Sequence, residues 1–209
     1  MTSGQQQAME RLFPDFGVPE DNAIIDLQQL FGNDHPVILE IGFGNGESLA
    51  KNALDNPDNN YFGIEVHQPG VGHLLMRVDE LQLKNVRVSS QDAVDVITDR
   101  LIANGLSGVQ IFFPDPWHKK RHNKRRLIQT PFLDLLMTVV KPGGCLHLAT
   151  DWQPYAEHML AVTDQHQAWS NLAGDGQFSE RPESRPLTKF ERRGQRLGHA
   201  VYDLLLKRN

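Results

Sequence analysis

Five short apolar runs, rich in β-branched and aromatic residues, recur along the chain at 37–41, 61–66, 86–90, 109–113 and 145–150. Between them, 46–55, 69–83, 92–103, 127–140 and 153–167 carry helical periodicity. A strand–helix alternation of this kind, with a helix in every crossover, implies α/β architecture: a mostly parallel sheet with helices on both faces. The 209 residues suit one domain spanning 1–209. Lys141-Pro-Gly-Gly144 reads as a helix stop and tight turn before the fifth strand. The polar segment 170–196, holding Pro182 and Pro186, reads as a loop, and 199–207 as a last edge strand. Residues 1–35 read as peripheral, with short amphipathic helices near 5–13 and 22–31.

Composition narrows the class. The one cysteine, Cys145, rules out an internal disulfide, and in Gly144-Cys-Leu-His-Leu-Ala149 it reads as a small buried hydrophobe. No run approaches the roughly 20 apolar residues of a membrane helix. The polar start, Met1-Thr-Ser-Gly-Gln-Gln-Gln, lacks the apolar core of a signal peptide, so a cytoplasmic protein is expected. The net charge of −5 does not suggest a nucleic-acid binder, but its distribution does. Of 21 Lys and Arg, six fall within 119–126 and four more within 189–196. A basic face on an otherwise acidic body can hold phosphates without indiscriminate sticking.

The first strand runs into Glu40-Ile-Gly-Phe-Gly-Asn-Gly46. Glycines at 42, 44 and 46 allow a sharp turn and close approach of a ligand to the main chain. The dinucleotide fingerprint would need a further glycine at 47, where Glu47 stands. A negative residue at the mouth disfavours pyrophosphate and favours a cationic ligand. The second strand ends at Glu65, about 20 residues after the glycines, where a carboxylate can accept from ribose hydroxyls. The third ends at Asp92, which can accept from an exocyclic adenine amine or cap the following helix.

The fourth run delivers Asp115 between two prolines in Val109-Gln-Ile-Phe-Phe-Pro-Asp-Pro-Trp117, and His118-Lys-Lys-Arg-His-Asn-Lys-Arg-Arg126 follows at once. A braced acid, an aromatic ring and phosphate-binding charge adjoin, which suits chemistry on a nucleic-acid base. The plainer alternatives are Trp117 packed against the sheet edge and a solvated basic loop. His118 and His122 stand four apart, but without further ligands nearby no metal site is expected. Asp151, after the fifth strand, reads by spacing alone as a helix cap.

Glu-Ile-Gly-x-Gly-x-Gly with an acid at the second strand tip resembles the class I S-adenosylmethionine-dependent methyltransferases. The block from Phe112 to Arg126, with Ala149-Thr-Asp-Trp152 and Thr188-Lys-Phe-Glu191-x-x-Gly194, resembles the bacterial tRNA (guanine-N7)-methyltransferases. That resemblance implies a Rossmann-like seven-stranded sheet with a reversed last strand. It also implies methyl transfer to a guanosine in the tRNA variable loop. It implies cofactor contacts at Glu40, Gly42, Gly44, Asn45, Gly46, Glu65, Asp92 and Asp115, with Asp115 also the active-site acid. It assigns substrate binding to Lys119, Asp151, Thr188, Lys189, Phe190 and Glu191, and RNA contact to Arg121, His122, Asn123, Lys124, Arg125 and Arg126. The expected partner is tRNA, engaged by a monomer without metal. One departure stands out. Family members of this kind often carry a basic stretch before the Gly-Gln near the start, whereas here Gly4-Gln5 follows three residues, so the expectation is either a weaker grip on tRNA or a lost N-terminal contact to cofactor or RNA.

Overall fold

The computed structural model describes residues 1–187, 191 and 200–209. Seven strands, β1 (Val37–Ile41), β2 (Asn60–Ile64), β3 (Val86–Ser89), β4 (Leu106–Phe112), β5 (Val140–Thr150), β6 (Trp169–Asn171) and β7 (Tyr202–Arg208), form one sheet in the order β3-β2-β1-β4-β5-β7-β6. The first five are parallel to one another, and β7 runs antiparallel to both β5 and β6. Helices α1 (Ser3–Phe16), α2 (Leu27–Phe31), α3 (Glu47–Asp55), α4 (Gln68–Glu80), α5 (Ala93–Asp99), α6 (Thr130–Val139) and α7 (Gln153–Asp164) accompany the sheet. Two apolar clusters result. One is centred on β1, β4, β5, α6 and α7, the other on α1, α3, α4 and β3. With both faces covered, the strands read as nearly continuous apolar runs, as parallel strands do.

Three expectations change. The last strand is not an edge: β7 lies between β5 and β6, and the edge is β6, three residues hidden at the start of the stretch read as a loop. Lys141-Pro-Gly-Gly144 does not separate helix from strand. Leu106 pairs with Val140 and Gly108 with Cys145, so these four residues form an irregularity within β5, with Gly143 at φ +78°. Cys145 is exposed rather than buried, next to the exposed Lys141, Pro142 and Gly143.

The N-terminal stretch is also less peripheral than its polarity suggests. Thr2 opens α1 with a reciprocal capping box to Gln5, which satisfies two otherwise orphaned amides. Ala8 and Leu12 are buried against α4, where a side chain on Gly72 would strike the Gln5 carbonyl. Val18 and Ile25 each bond to the body of the fold, at Val88 and Arg100.

Candidate active site

The sheet reverses its winding between β1 and β4, the place where open α/β sheets hold ligands at the carboxyl ends of their strands. Following the strand order, the acids there succeed one another as Asp92, Glu65, the glycine turn above Glu40, and Asp115.

Glu40 lies beside Gly63 of β2 and Gln110 of β4. It is 2% exposed, and its Oε2 has no hydrogen-bond partner among the described residues. Burial pushes its carboxyl up to about 8, because removal from water penalises the charged form. Gly42, Gly44 and Gly46 all adopt left-handed backbone at φ +71°, +60° and +74°. A Cβ on Gly42 or Gly44 would meet only open space within 4 Å, whereas one on Gly46 would strike Leu74. The first two therefore lie open to an approaching ligand, and the third allows α3 to pack on α4. Asn45 accepts the Glu47 amide through Oδ1, and its carbonyl lies 2.7 Å from His73 Nδ1.

Glu65 is committed to the backbone. Its Oε2 accepts from the Gly44 amide at 2.9 Å and its Oε1 from the His67 amide at 2.9 Å. Each oxygen retains acceptor capacity, so the carboxylate shapes the turn and can still take a hydroxyl. Asp92 caps α5 through the Val94 amide at 2.8 Å. The helix-cap reading is thus realised, through one of its two oxygens.

Asp115 is exposed and makes no hydrogen bond among the described residues. Its presentation comes from backbone instead. Pro114 and Pro116 flank it, and beyond them Phe113 and Trp117 hold left-handed conformations at φ +54° and +47°. Such conformations cost a bulky residue about 1–2 kcal/mol each and persist only where surroundings enforce them. The Phe113 amide bonds the Ala149 carbonyl at 2.8 Å. The Trp117 ring is held edge-on by His122 and covered by the Arg125 guanidinium 5.1 Å from its centroid. Trp117 is therefore part of the loop's own packing. His118 meets Trp152 edge-on at 4.3 Å, so the two histidines go to different rings.

The basic run forms a 3-10 turn at Lys120–Arg125. Lys119, Lys120, Arg121, Lys124 and Arg125 are exposed, and none pairs with a carboxylate among the described residues. His122 and Asn123 are half-buried. Arg126 departs from the expectation of RNA contact. It is buried, bonded to the carbonyls of Pro116 (3.0 Å) and Pro154 (3.3 Å), and stacked over Tyr155 at 4.8 Å. It ties the base of the loop to α7.

Asp151 does not cap α7. Trp152 occupies the cap position without a side-chain bond, and Asp151 is exposed beside the same sheet edge. Thr188, Lys189 and Phe190 lie outside the described residues. Glu191, expected at the substrate, is 2% exposed and chelated by Arg185 through two bonds of 2.7 and 2.8 Å. Arg185 itself was not legible as important. Its signal was indirect: His147 and Asp203 interrupt otherwise apolar strands, and buried polar groups need partners.

The described site thus offers a turn open to a ligand beside an unsatisfied buried acid, a braced aspartate, and a cationic flank. A family model described as putative methyltransferase matches residues 34–204. A tRNA (guanine-N(7)-)-methyltransferase of Serratia proteamaculans is 52% identical over 208 residues, covering 100% of this chain and 87% of that protein. Its counterpart in Yersinia pseudotuberculosis is likewise 52% identical with the same coverage. Among solved structures, the 16S rRNA methyltransferase KamB superposes with a TM-score of 0.65 at 18% identity, covering 89% of this chain and 95% of that one. This last likeness is one of fold.

Proposed function

Since the chain belongs to the putative methyltransferase family whose model matches residues 34–204, we propose that it transfers a methyl group from S-adenosylmethionine to N7 of a guanosine in the variable loop of tRNA. The products are 7-methylguanosine and S-adenosylhomocysteine, made by a cytoplasmic monomer. The observation that carries this reading is the proline-braced Asp115, set between the row of strand-tip acids and five exposed cations that pair with no carboxylate among the described residues.

The residues fit the cofactor. The unsatisfied Glu40 Oε2 suits a cationic ligand, and open space over Gly42 and Gly44 admits one close to the main chain. Glu65 and Asp92 keep acceptor capacity for ribose and adenine donors. When bound, S-adenosylmethionine supplies an electrophilic methyl on a sulfonium. Guanine N7 carries an in-plane lone pair, so no proton must leave before attack and no general base is required. Orientation can then supply much of the acceleration, up to about 7–11 kcal/mol in favourable cases. The purine gains positive charge as the bond forms, and the Asp115 carboxylate stabilises that charge electrostatically. Lys119, Lys120, Arg121, Lys124 and Arg125 hold phosphates, which positions RNA without reading its sequence.

Asp115→Ala tests this assignment, since an exposed side chain with no hydrogen bond among the described residues can be removed without loss of fold. Methyl transfer should fall by about 100-fold or more, with thermal melting unchanged. Turnover near the parental rate would remove Asp115 from the chemistry.

A further inference from the structure

Arg185 sits in a polar, proline-flanked stretch, yet it is 1% exposed. Its guanidinium donates four bonds to two carboxylates, Glu191 and Asp203, which lie 6 and 18 positions further along the chain. Nε and one terminal nitrogen donate to Asp203 of β7 at 2.7 and 2.9 Å. The terminal nitrogens also donate to Glu191 at 2.8 and 2.7 Å. His147 of β5 completes the group, its Nε2 2.7 Å from Asp203 Oδ1. Burial alone would push the Asp203 carboxyl up, but bonds from His147 and Arg185 and the guanidinium charge hold it below the ordinary carboxylate value. The group persists because every charge has a directed partner.

Its position gives it a second consequence. The guanidinium carbon stands 6.0 Å from the Phe112 ring centroid and 5.7 Å from that of Phe113, while His147 meets Phe112 edge-on at 4.8 Å. Those two phenylalanines are the last residue of β4 and the first of the Asp115 turn. Phe113 is in left-handed backbone there, which its surroundings must enforce.

We propose that Arg185, clamped by Asp203 and Glu191, is a positioning residue for methyl transfer: it forms the charged bed on which Phe112 and Phe113 hold the strained turn that aims Asp115. This rests on the reading of Asp115 given above. The bed needs a planar fork that bonds two carboxylates while presenting a flat surface to aromatic rings, which arginine supplies and lysine does not. Removing the side chain altogether would leave two buried carboxylates facing one another, so Arg185→Lys, which keeps the charge, is the informative change.

The test is a double-mutant cycle in single-turnover methyl transfer to tRNA, with kcat and KM from steady state, thermal melting, and calorimetric binding of S-adenosylhomocysteine. Arg185→Lys should melt cooperatively and bind S-adenosylhomocysteine within about twofold of the parent, yet lose about tenfold or more in kcat with little change in KM for tRNA. In an Asp115→Ala background the same substitution should cost less than about twofold, because the group being aimed is gone. A kcat close to the parent's, or a loss repeated in full on top of Asp115→Ala, overturns the inference. If Arg185→Lys does not melt cooperatively, Asp203→Asn, which keeps the Arg185–Glu191 pair, is read by the same criteria. An Asp115→Ala single variant of parental rate would instead refute the assignment of Asp115.

Discussion

Replacing Glu40 with glutamine should separate the cost of burying this acid from its use. The folded carboxyl is raised to about 8 from an ordinary 4.5. At low pH the group is neutral in both folded and unfolded chains and contributes no difference. As pH rises past 4.5, the unfolded chain ionises while the folded one keeps its proton, so stability is lost progressively until about 8 and is level above. At 1.36 kcal/mol per unit the ceiling is about 5 kcal/mol, and structural relaxation lowers it. Above pH 8, Glu40→Gln should therefore stabilise the ligand-free protein by about 2–4 kcal/mol in urea unfolding, and below pH 4.5 by nearly nothing. The same proton reports on function. At pH 7 the group is mostly protonated, so a cationic ligand that needs the carboxylate must expel the larger part of a proton. Affinity for S-adenosylmethionine should then tighten about tenfold between pH 7 and 9. Calorimetry in buffers of different ionisation enthalpy counts the protons. The ligand's own ammonium titrates nearby, so the quantity of interest is the difference between parent and Glu40→Gln. Equal proton release by the two proteins, or equal stability at pH 9, would refute the reasoning.

Three further outcomes follow from geometry. A Cβ on Gly70 would stand 2.1 Å from the Gly44 carbonyl, so Gly70→Ala should displace the glycine turn and weaken S-adenosylhomocysteine binding about tenfold or more, checked by calorimetry. Neutralising Lys124 and Arg125 should weaken tRNA binding and reduce its salt slope by roughly 1 per lost phosphate contact. Arg126→Ala should instead lower stability by about 2–4 kcal/mol in denaturant unfolding, because it strands two carbonyls and empties a buried stack.

The parts of this fold that were legible in sequence are those governed by local pattern. β1 was placed residue for residue, because an apolar run bounded by Pro36 and the glycine turn leaves little choice. α3 and α4 began within a residue of expectation, since glycine and His67-Gln-Pro punctuate the chain there. What escaped depends on partners distant in sequence. β6 is three residues long and exists because β7 offers it an edge. β7 is internal for the same reason, which no feature of its own sequence encodes. In the site, strand-tip acids and glycines were legible because the βα turn is a local motif. Arg126 and Glu191 were not, because Arg126 is buried by Tyr155, 29 positions away, and Glu191 by an Arg185 that is itself held by Asp203 of β7. Charge type reads as solvated until tertiary contact supplies a counterpart.

The most direct measurement is mass spectrometry of nucleosides from unmodified tRNA incubated with the protein and S-adenosylmethionine. The expected product is 7-methylguanosine, recognised by the fixed positive charge of its purine, formed by the parent protein and nearly absent with Asp115→Ala. Methyl groups on an exocyclic amine, or none on guanosine while tRNA and cofactor both bind, would contradict the proposed chemistry.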